Sequence, residues 1–154
     1  MCQYIPAWLA GHFNWSRPFF PLTDVVISDR AVAAPRKLAD LAGGPIGTVL
    51  GYEYPDLALA MGGALVRDDA PSSDSNLRKI AAGRGSHAVT TRIFLNCHAK
   101  MGTPLSLHAP LLVKNHQTHC AVSILAGVTA EQVNQAILGM TKDGTLHAIM
   151  VRYR

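Results

Sequence analysis

The segment Gly51-Tyr52-Glu53-Tyr54 carries residue types that suit the binding of a small molecule. It follows an apolar run and precedes Pro55, which suits the first position of a helix. Backbone N–H groups and the helix dipole at such a turn favour an anion, and the Tyr52 ring can stack on a ligand. Glu53 argues the other way, because it already places a carboxylate at that dipole. The segment is therefore either a binding turn or a plain strand–helix turn capped by Glu53, and it contains no phosphate-loop motif.

Seven histidines and three cysteines are the candidate metal ligands. The densest group runs from His116 to Cys120, and Cys97-His98 forms a second pair. Zinc needs a complete ligand set in a fixed geometry, and neither spacing matches a zinc motif. Neighbouring residues of a strand also point to opposite faces, which separates His119 from Cys120. We therefore expect ordinary strand-end and loop histidines, with no metal and no cofactor.

The residues of nucleophilic and acid–base catalysis form no familiar arrangement. The motif G-x-S-x-G is absent, and no cysteine has an activating context. The adjacent carboxylates Asp68-Asp69 resemble a solvated strand end rather than an acid–base pair. We expect a protein that is not an enzyme.

The cysteines Cys2, Cys97 and Cys120 include no C-x-x-C pair. Their odd number cannot be fully paired within one chain, which excludes a disulfide scaffold. A single bridge between Cys97 and Cys120 is the alternative left open.

Length and composition limit the classes of protein to consider. The chain has 154 residues, of which 49% are apolar and 16% charged, which suits one globular domain. The net charge of +4 comes from scattered Lys and Arg, which argues against nucleic-acid binding. The most apolar stretch, Leu57 to Val66, is interrupted by two glycines and is shorter than a membrane span. Met1 to Pro6 does not resemble an export signal, so the chain is either cytoplasmic or lacks its original beginning.

Apolar periodicity predicts alternating strands and helices. Predicted strands cover residues 24–28, 46–50, 64–67, 87–91, 104–109 and 119–124. Helices are predicted after Pro55, Ser75 and Thr129, and at 38–41, 92–97 and 146–153, whereas residues 6–21 read as irregular. This order indicates an α/β fold with a largely parallel sheet. Ligands of such sheets bind at the carboxyl ends of strands, where the turns Gly51 to Tyr54 and Thr90 to Arg92 lie.

Four segments in order resemble the extracytoplasmic solute-binding proteins of amino-acid-type ABC transporters. Phe13 to Phe20 resembles that family's F-D-F-S-x-P-Y-Y, and Asp40 to Val49 its D-L-x-G-K-x-I-G-V. Asn76 to Arg84 is similar to the L-x-x-G-R-x-D-A helix end, and Asn134 to Tyr153 to the family's ending. The turn Gly51 to Pro55 matches a divergent subgroup with Gly-Tyr-x-Tyr-Pro. The resemblance covers nearly the whole chain.

The resemblance implies a periplasmic-binding-protein fold of class II, with a three-layer α/β lobe and C-terminal helices. Residues 1–24 would be the remnant of the first lobe and the hinge entry, 25–117 the second lobe, and 118–154 the hinge return and C-terminal helices. Most of the first lobe, and the signal peptide, would be missing from this chain. Family members bind solutes between two lobes, work in the periplasm and deliver the solute to a permease. The implied ligand-binding residues are Tyr52, Glu53, Tyr54 and Thr91.

The chain departs from the family at two charged positions. An Arg that grips the α-carboxylate in amino-acid binders would fall within Ala7 to Ala10, where no Arg stands. The Asp that grips the α-ammonium corresponds to Thr91, and the Asp of the strand motif to Ser86. A desolvated zwitterion needs both of its charges compensated. We therefore expect a small polar solute rather than an ordinary α-amino acid, or else a degenerate single lobe that forms a homodimer and binds no ligand.

Overall fold

The computed structural model describes residues 1–9, 11–102 and 105–152. The described residues form seven strands: β1 (Cys2–Tyr4), β2 (Phe13–Trp15), β3 (Phe20–Ser28), β4 (Pro45–Val49), β5 (Val66–Ala70), β6 (His87–Thr91) and β7 (Leu111–Ser123). They also form five α-helices: α1 (Pro55–Met61), α2 (Ser73–Ala81), α3 (Arg92–Lys100), α4 (Ala130–Lys142) and α5 (Thr145–Arg152). Short 3-10 helices lie at Pro6–Trp8, Leu38–Leu41 and Gly62–Ala64. Within the described ranges, no helix has the length and apolar character that crossing a membrane requires.

The chain divides into two compact units. The first unit contains Met1–Leu22 and Asn115–Arg154, and the second contains Thr23–Lys114. The chain therefore passes from one unit to the other within β3 and again within β7. The assignment of these units to the lobes of a solute-binding protein stays a prediction.

The second unit is a three-layer α/β structure, as the sequence predicts. Its strands lie in the order β3-β6-β4-β5. One face carries the core cluster Val26, Leu41, Ile46, Leu57, Met61 and Val89, to which α1 contributes. The opposite face carries Val25, Ile27, Leu77, Ile80 and Ala88, to which α2 contributes. Because both faces are covered by apolar side chains, the central strands are buried, which explains their β-branched runs.

The directions of the strands refine the expected parallel sheet. In the second unit β4 runs parallel to both β5 and β6, whereas β3 runs antiparallel to β6. The parallel part is therefore the β6-β4-β5 core. Parallel strands place their carboxyl ends at one edge, and this edge is the one that the two predicted turns occupy.

Two predicted strands differ in the structure. Residues 103 and 104, where the strand at 104–109 was expected to start, lie outside the described residues, and the remainder holds only an isolated bridge between Leu107 and Asp29. This segment is held by isolated hydrogen bonds, such as the one that Arg30 Nε donates to the Leu107 carbonyl at 2.9 Å. The strand expected at 64–67 begins instead at Val66, because Gly62–Ala64 forms a 3-10 turn. Asp68 and Asp69 lie just before the last residue of β5, where Asp69 is exposed and Asp68 is half-buried.

The first unit is built around β7. Both β1 and β2 pair with β7 in antiparallel register, so the segment 6–21, which was expected to be irregular, contains the short strand β2, and β1 precedes it. β7 starts at Leu111, well before the expected His119, because the polar residues Lys114 to Thr118 interrupt the apolar pattern from which a strand is predicted. Helix α4 begins as expected, with a capping box between Thr129 and Gln132.

The disulfide joins Cys2 to Cys120. The alternative of a Cys97–Cys120 bridge was therefore wrong, and Cys97 is a free, half-buried thiol. The reason is the register of β1 with β7, which sets Cys2 directly opposite Cys120. Because β1 was not predicted, the sequence offered no indication of this pairing.

Candidate functional site

The candidate site lies at the carboxyl edge of the parallel strands of the second unit. Gly47 of β4 is paired with Ala88 of β6, so these two strands end side by side. The turn of residues 51–54 follows β4, and Thr91 ends β6 and caps α3. The structure therefore brings the two predicted turns to the same edge.

The turn reverses the chain with a glycine at its sharpest point. Gly51 has φ of +80°, a conformation that other residues rarely adopt. The Tyr52 N–H donates to the Val49 carbonyl at 3.2 Å, which closes the turn. The Tyr52 side chain is 52% exposed and Glu53 is exposed as well. The N-cap of α1 is Tyr54, with no side-chain capping hydrogen bond, so the alternative of a turn capped by Glu53 is not what the structure has.

Tyr54 has a different environment from Tyr52. It is half-buried and packs against the core cluster on the α1 face. Its phenol oxygen accepts a hydrogen bond from the Val49 N–H at 3.0 Å. Burial raises the pKa of Tyr54, while the Val49 bond and the nearby Arg67 act in the opposite direction. Tyr54 therefore holds the turn against the sheet, whereas Tyr52 and Glu53 are the exposed side chains of the turn.

Arg67 and Asp69 extend this arrangement along β5. Sequence reasoning missed Arg67 and treated Asp69 only as part of a solvated strand end. The guanidinium carbon of Arg67 lies 5.3 Å from the centroid of the Tyr54 ring. Its Nη2 donates to Asp69 Oδ1 at 2.8 Å, and Thr48 Oγ1 donates to the same oxygen at 2.6 Å. These bonds lower the pKa of Asp69. The available signal was the i, i+2 spacing of the two charges, which places them on one face of a strand.

Thr91 and Asp24 face each other across β6 and β3. They are register partners, and Thr91 Oγ1 accepts the Phe94 N–H at 3.2 Å as the cap of α3. Asp24 is only 6% exposed. Burial, followed by the nearby charge of Asp56, raises the pKa of Asp24 to about 6. Sequence reasoning treated Asp24 only as the start of a strand.

The charges at this edge are mixed. Asp56, in the first turn of α1, accepts a hydrogen bond from Lys114 Nζ at 2.6 Å. Asp24 and Glu53 add two further carboxyl groups, and Arg92, the residue after Thr91, adds a cation. Together with the exposed Tyr52 ring, this set can stack, hydrogen-bond and attract a positive charge.

His119 and Cys120, in the histidine–cysteine group of β7, make structural contacts. Cys120 is bonded to Cys2, and His119 Nδ1 lies 2.7 Å from the Ser16 carbonyl oxygen. Across the part of the chain that the structure describes, no group of three or more His, Cys, Asp or Glu could hold a metal ion.

The Cys97-His98 pair lies on α3. His98 is buried against the Phe94 ring, with 6.1 Å between the ring centroids, and its Nε2 lies 3.9 Å from Asp74. Both contacts belong to the packing of α3 in the second unit.

The fold matches solved structures of amino-acid-binding proteins. The GluR0 ligand-binding core in complex with L-glutamate superimposes with a TM-score of 0.79 at 11% identity, over 98% of this chain and 68% of that one. An ancestral arginine-binding protein bound to arginine gives a TM-score of 0.75 at 19% identity, over 92% of this chain and 64% of that one. AbpA bound to L-arginine, an amino acid ABC transporter substrate-binding protein from Streptococcus pneumoniae, gives a TM-score of 0.69 at 14% identity. The match covers 92% of this chain and 60% of that one.

These TM-scores establish the fold, which is of the periplasmic-binding-protein type. The chain spans less than two thirds of the length of the ancestral arginine-binding protein and of AbpA. No family model matches the sequence, and no curated protein matches it.

Proposed function

We propose that this chain binds a small polar, amino-acid-like solute at the carboxyl edge of its second unit and holds it without chemical change. The observation that carries the proposal is the side-by-side ending of β4 and β6, which gathers Tyr52, Glu53 and Thr91. Proteins of this fold whose structures are solved include binders of arginine and of glutamate, which supports an amino-acid-like ligand.

In this proposal the exposed side chains of the edge have separate roles. The Tyr52 ring stacks on the solute, and Glu53 attracts its positive end. The Thr91 hydroxyl accepts the Phe94 N–H, so its own hydrogen remains available for donation. Asp24, opposite Thr91, adds a second carboxyl group. A cationic group of the solute nearby would favour the ionised form of Asp24. Arg67 is paired with Asp69 and is not assigned to the solute.

The setting we propose is outside the cytoplasm, with an ABC-transporter permease as the partner that receives the solute. The disulfide between Cys2 and Cys120 supports this location, because such bonds persist in oxidising compartments. The likeness to an ABC transporter substrate-binding protein supports the partner.

A thermal-shift screen tests the proposed binding. The purified chain is heated with amino acids, polyamines, organic acids and sugars, one at a time. A solute at about one hundred times its dissociation constant stabilises the fold by ~2.7 kcal/mol, which raises Tm by several degrees. We expect such a shift from a compound with a cationic group.

The variant Tyr52→Ala locates the binding. It removes an exposed ring, so we expect unchanged Tm without solute and loss of most of the shift with solute. The matched control is Leu59→Ala, since Leu59 is 87% exposed on α1. Equal shifts in wild type and Tyr52→Ala would remove Tyr52 from the site, and no shift with any compound would contradict the proposed function.

Self-association without a ligand is the second candidate. It is favoured by the loop after β7 in the first unit, where Leu125 is 90% exposed and Ile124 and Val128 are exposed as well. Clustered apolar side chains of this kind promote association. The occupant we propose for this loop is a second copy of the chain.

A further inference from the structure

Val49, the last residue of β4, is held through both of its backbone groups. Its N–H donates to the Tyr54 phenol oxygen at 3.0 Å. Its carbonyl accepts the Tyr52 N–H at 3.2 Å and Arg67 Nη2 at 3.4 Å. The end of β4, the turn and a side chain of β5 therefore meet at a single residue.

Arg67 is itself fixed at this position. Its Nε and Nη2 donate to Asp69 Oδ1 at 3.1 and 2.8 Å, and Thr48 Oγ1 donates to that same oxygen. The guanidinium lies over the Tyr54 ring, where a cation is attracted by the negative face of the aromatic system. An arginine that is paired, stacked and hydrogen-bonded to backbone acts on its neighbours rather than on solvent.

The geometry points to Arg67 and Tyr54 as a positioning pair that sets the turn from which Tyr52 and Glu53 project. The Arg67 guanidinium stacks on the Tyr54 ring, and the Tyr54 phenol oxygen accepts the N–H of Val49. The carbonyl of Val49 accepts hydrogen bonds from both Arg67 and the Tyr52 N–H of the turn. The consequence for a solute rests on the proposed function, because only then do Tyr52 and Glu53 meet a ligand. The ordering of the turn does not depend on a solute.

Amide hydrogen exchange of the unliganded chain tests the pair directly. In Arg67→Met we expect the hydrogen-bonded amides of Val49 and Tyr52 to exchange roughly threefold to tenfold faster, the factor that one lost hydrogen bond accounts for. Tyr54→Phe, which removes the acceptor of the Val49 N–H, should give the same local increase. The matched control is Arg78→Met, which removes an arginine paired with Asp74 at 2.8 Å on α2 and leaves the turn untouched.

A titration of Tyr54 separates positioning from general packing. Absorbance at 295 nm is followed against pH, and the Tyr54 signal is the difference between each protein and its Tyr54→Phe counterpart. Arg67→Met should raise the midpoint of Tyr54, because a nearby positive charge favours the phenolate. In Arg67→Lys the midpoint of Tyr54 should rise less than in Arg67→Met, because the positive charge is kept. The amides should still exchange faster than in wild type, because lysine lacks the planar set of N–H donors of the guanidinium.

The two proposals fail in different ways. Unchanged exchange of the Val49 and Tyr52 amides in Arg67→Met, or an increase spread evenly over β6 and α2, would overturn the positioning pair. Binding that depends on Tyr52 would then still support the proposed function. Conversely, faster local exchange together with an empty solute screen would support the pair and contradict the solute site.

Discussion

Asp24 is the residue whose environment departs most from its ordinary chemistry. It is a carboxyl group with little exposure at the start of the buried part of β3, close to the charge of Asp56. Burial disfavours the ionised form, and a like charge adds to that effect. The folded chain therefore retains a proton on Asp24 that the unfolded chain releases.

The pH dependence of stability follows from this difference. The pKa of Asp24 rises from 3.8 to about 6 on folding, so the folded state binds more protons between these pH values. The stabilisation from protonated Asp24 is complete below pH 3.8 and is lost as pH rises through 6. We predict that Asp24→Asn stabilises the chain at pH 7, by on the order of 2 kcal/mol, and changes it little at pH 4.

Urea unfolding at a series of pH values measures this effect. Asp29→Asn, beyond the other end of β3, is the control and should preserve the decline of stability between pH 4 and pH 6. If Asp24→Asn preserved that decline as well, Asp24 would not be its source.

At the scale of elements, helix α2 approaches β4 closely at Asn76, in addition to its apolar packing against the sheet. The Asn76 side chain is buried, and its Nδ2 donates to the Thr48 carbonyl at 2.9 Å. Gly47 allows this approach, since an added Cβ would lie 2.7 Å from Asn76 Oδ1 and 2.9 Å from the Ala88 Cβ. The helix and the two central strands therefore depend on the absence of a side chain at position 47.

We predict that Gly47→Ala destabilises the chain by about 1 to 3 kcal/mol, because the added methyl pushes both α2 and β6 away from β4. The midpoint and slope of denaturant unfolding measure the change. Gly63→Ala is the matched control, as nothing lies within 4 Å of its added Cβ. Equal midpoints for Gly47→Ala and wild type would mean that α2 shifts without cost.

For the whole molecule, the open question is whether the chain acts alone. If the loop after β7 meets a second copy, sedimentation velocity should detect association that grows with protein concentration. We predict that Leu125→Glu abolishes it, because a buried unpaired charge is costly. Leu59→Glu places the same charge on a similarly exposed leucine of α1 and should leave association intact. A single monomeric species throughout the concentration range would rule out the second candidate.

Local patterns in the sequence determined most of the helices, the central strands and the class of fold. The capping box at Thr129, the proline that starts α1 and the β-branched run of β3 each act within a few residues, so reading them needs no knowledge of the rest of the chain. The same patterns, with the four family-like segments, led to the periplasmic-binding-protein type of fold, which the structural matches confirm. They also located the exposed turn with Tyr52 and Glu53.

Only the tertiary structure decided the partners of those elements. Three contacts join residues of different elements: the Cys2–Cys120 bond, the pairing of Asp24 with Thr91, and the contact of Arg67 with the Tyr54 ring. Strand register depends on which strands meet after the chain has closed, and a single sequence contains no local signal for it. The physical reason is the same at every scale: capping and periodicity are short-range interactions, whereas pairing, burial and the pKa of a carboxyl group depend on the whole fold.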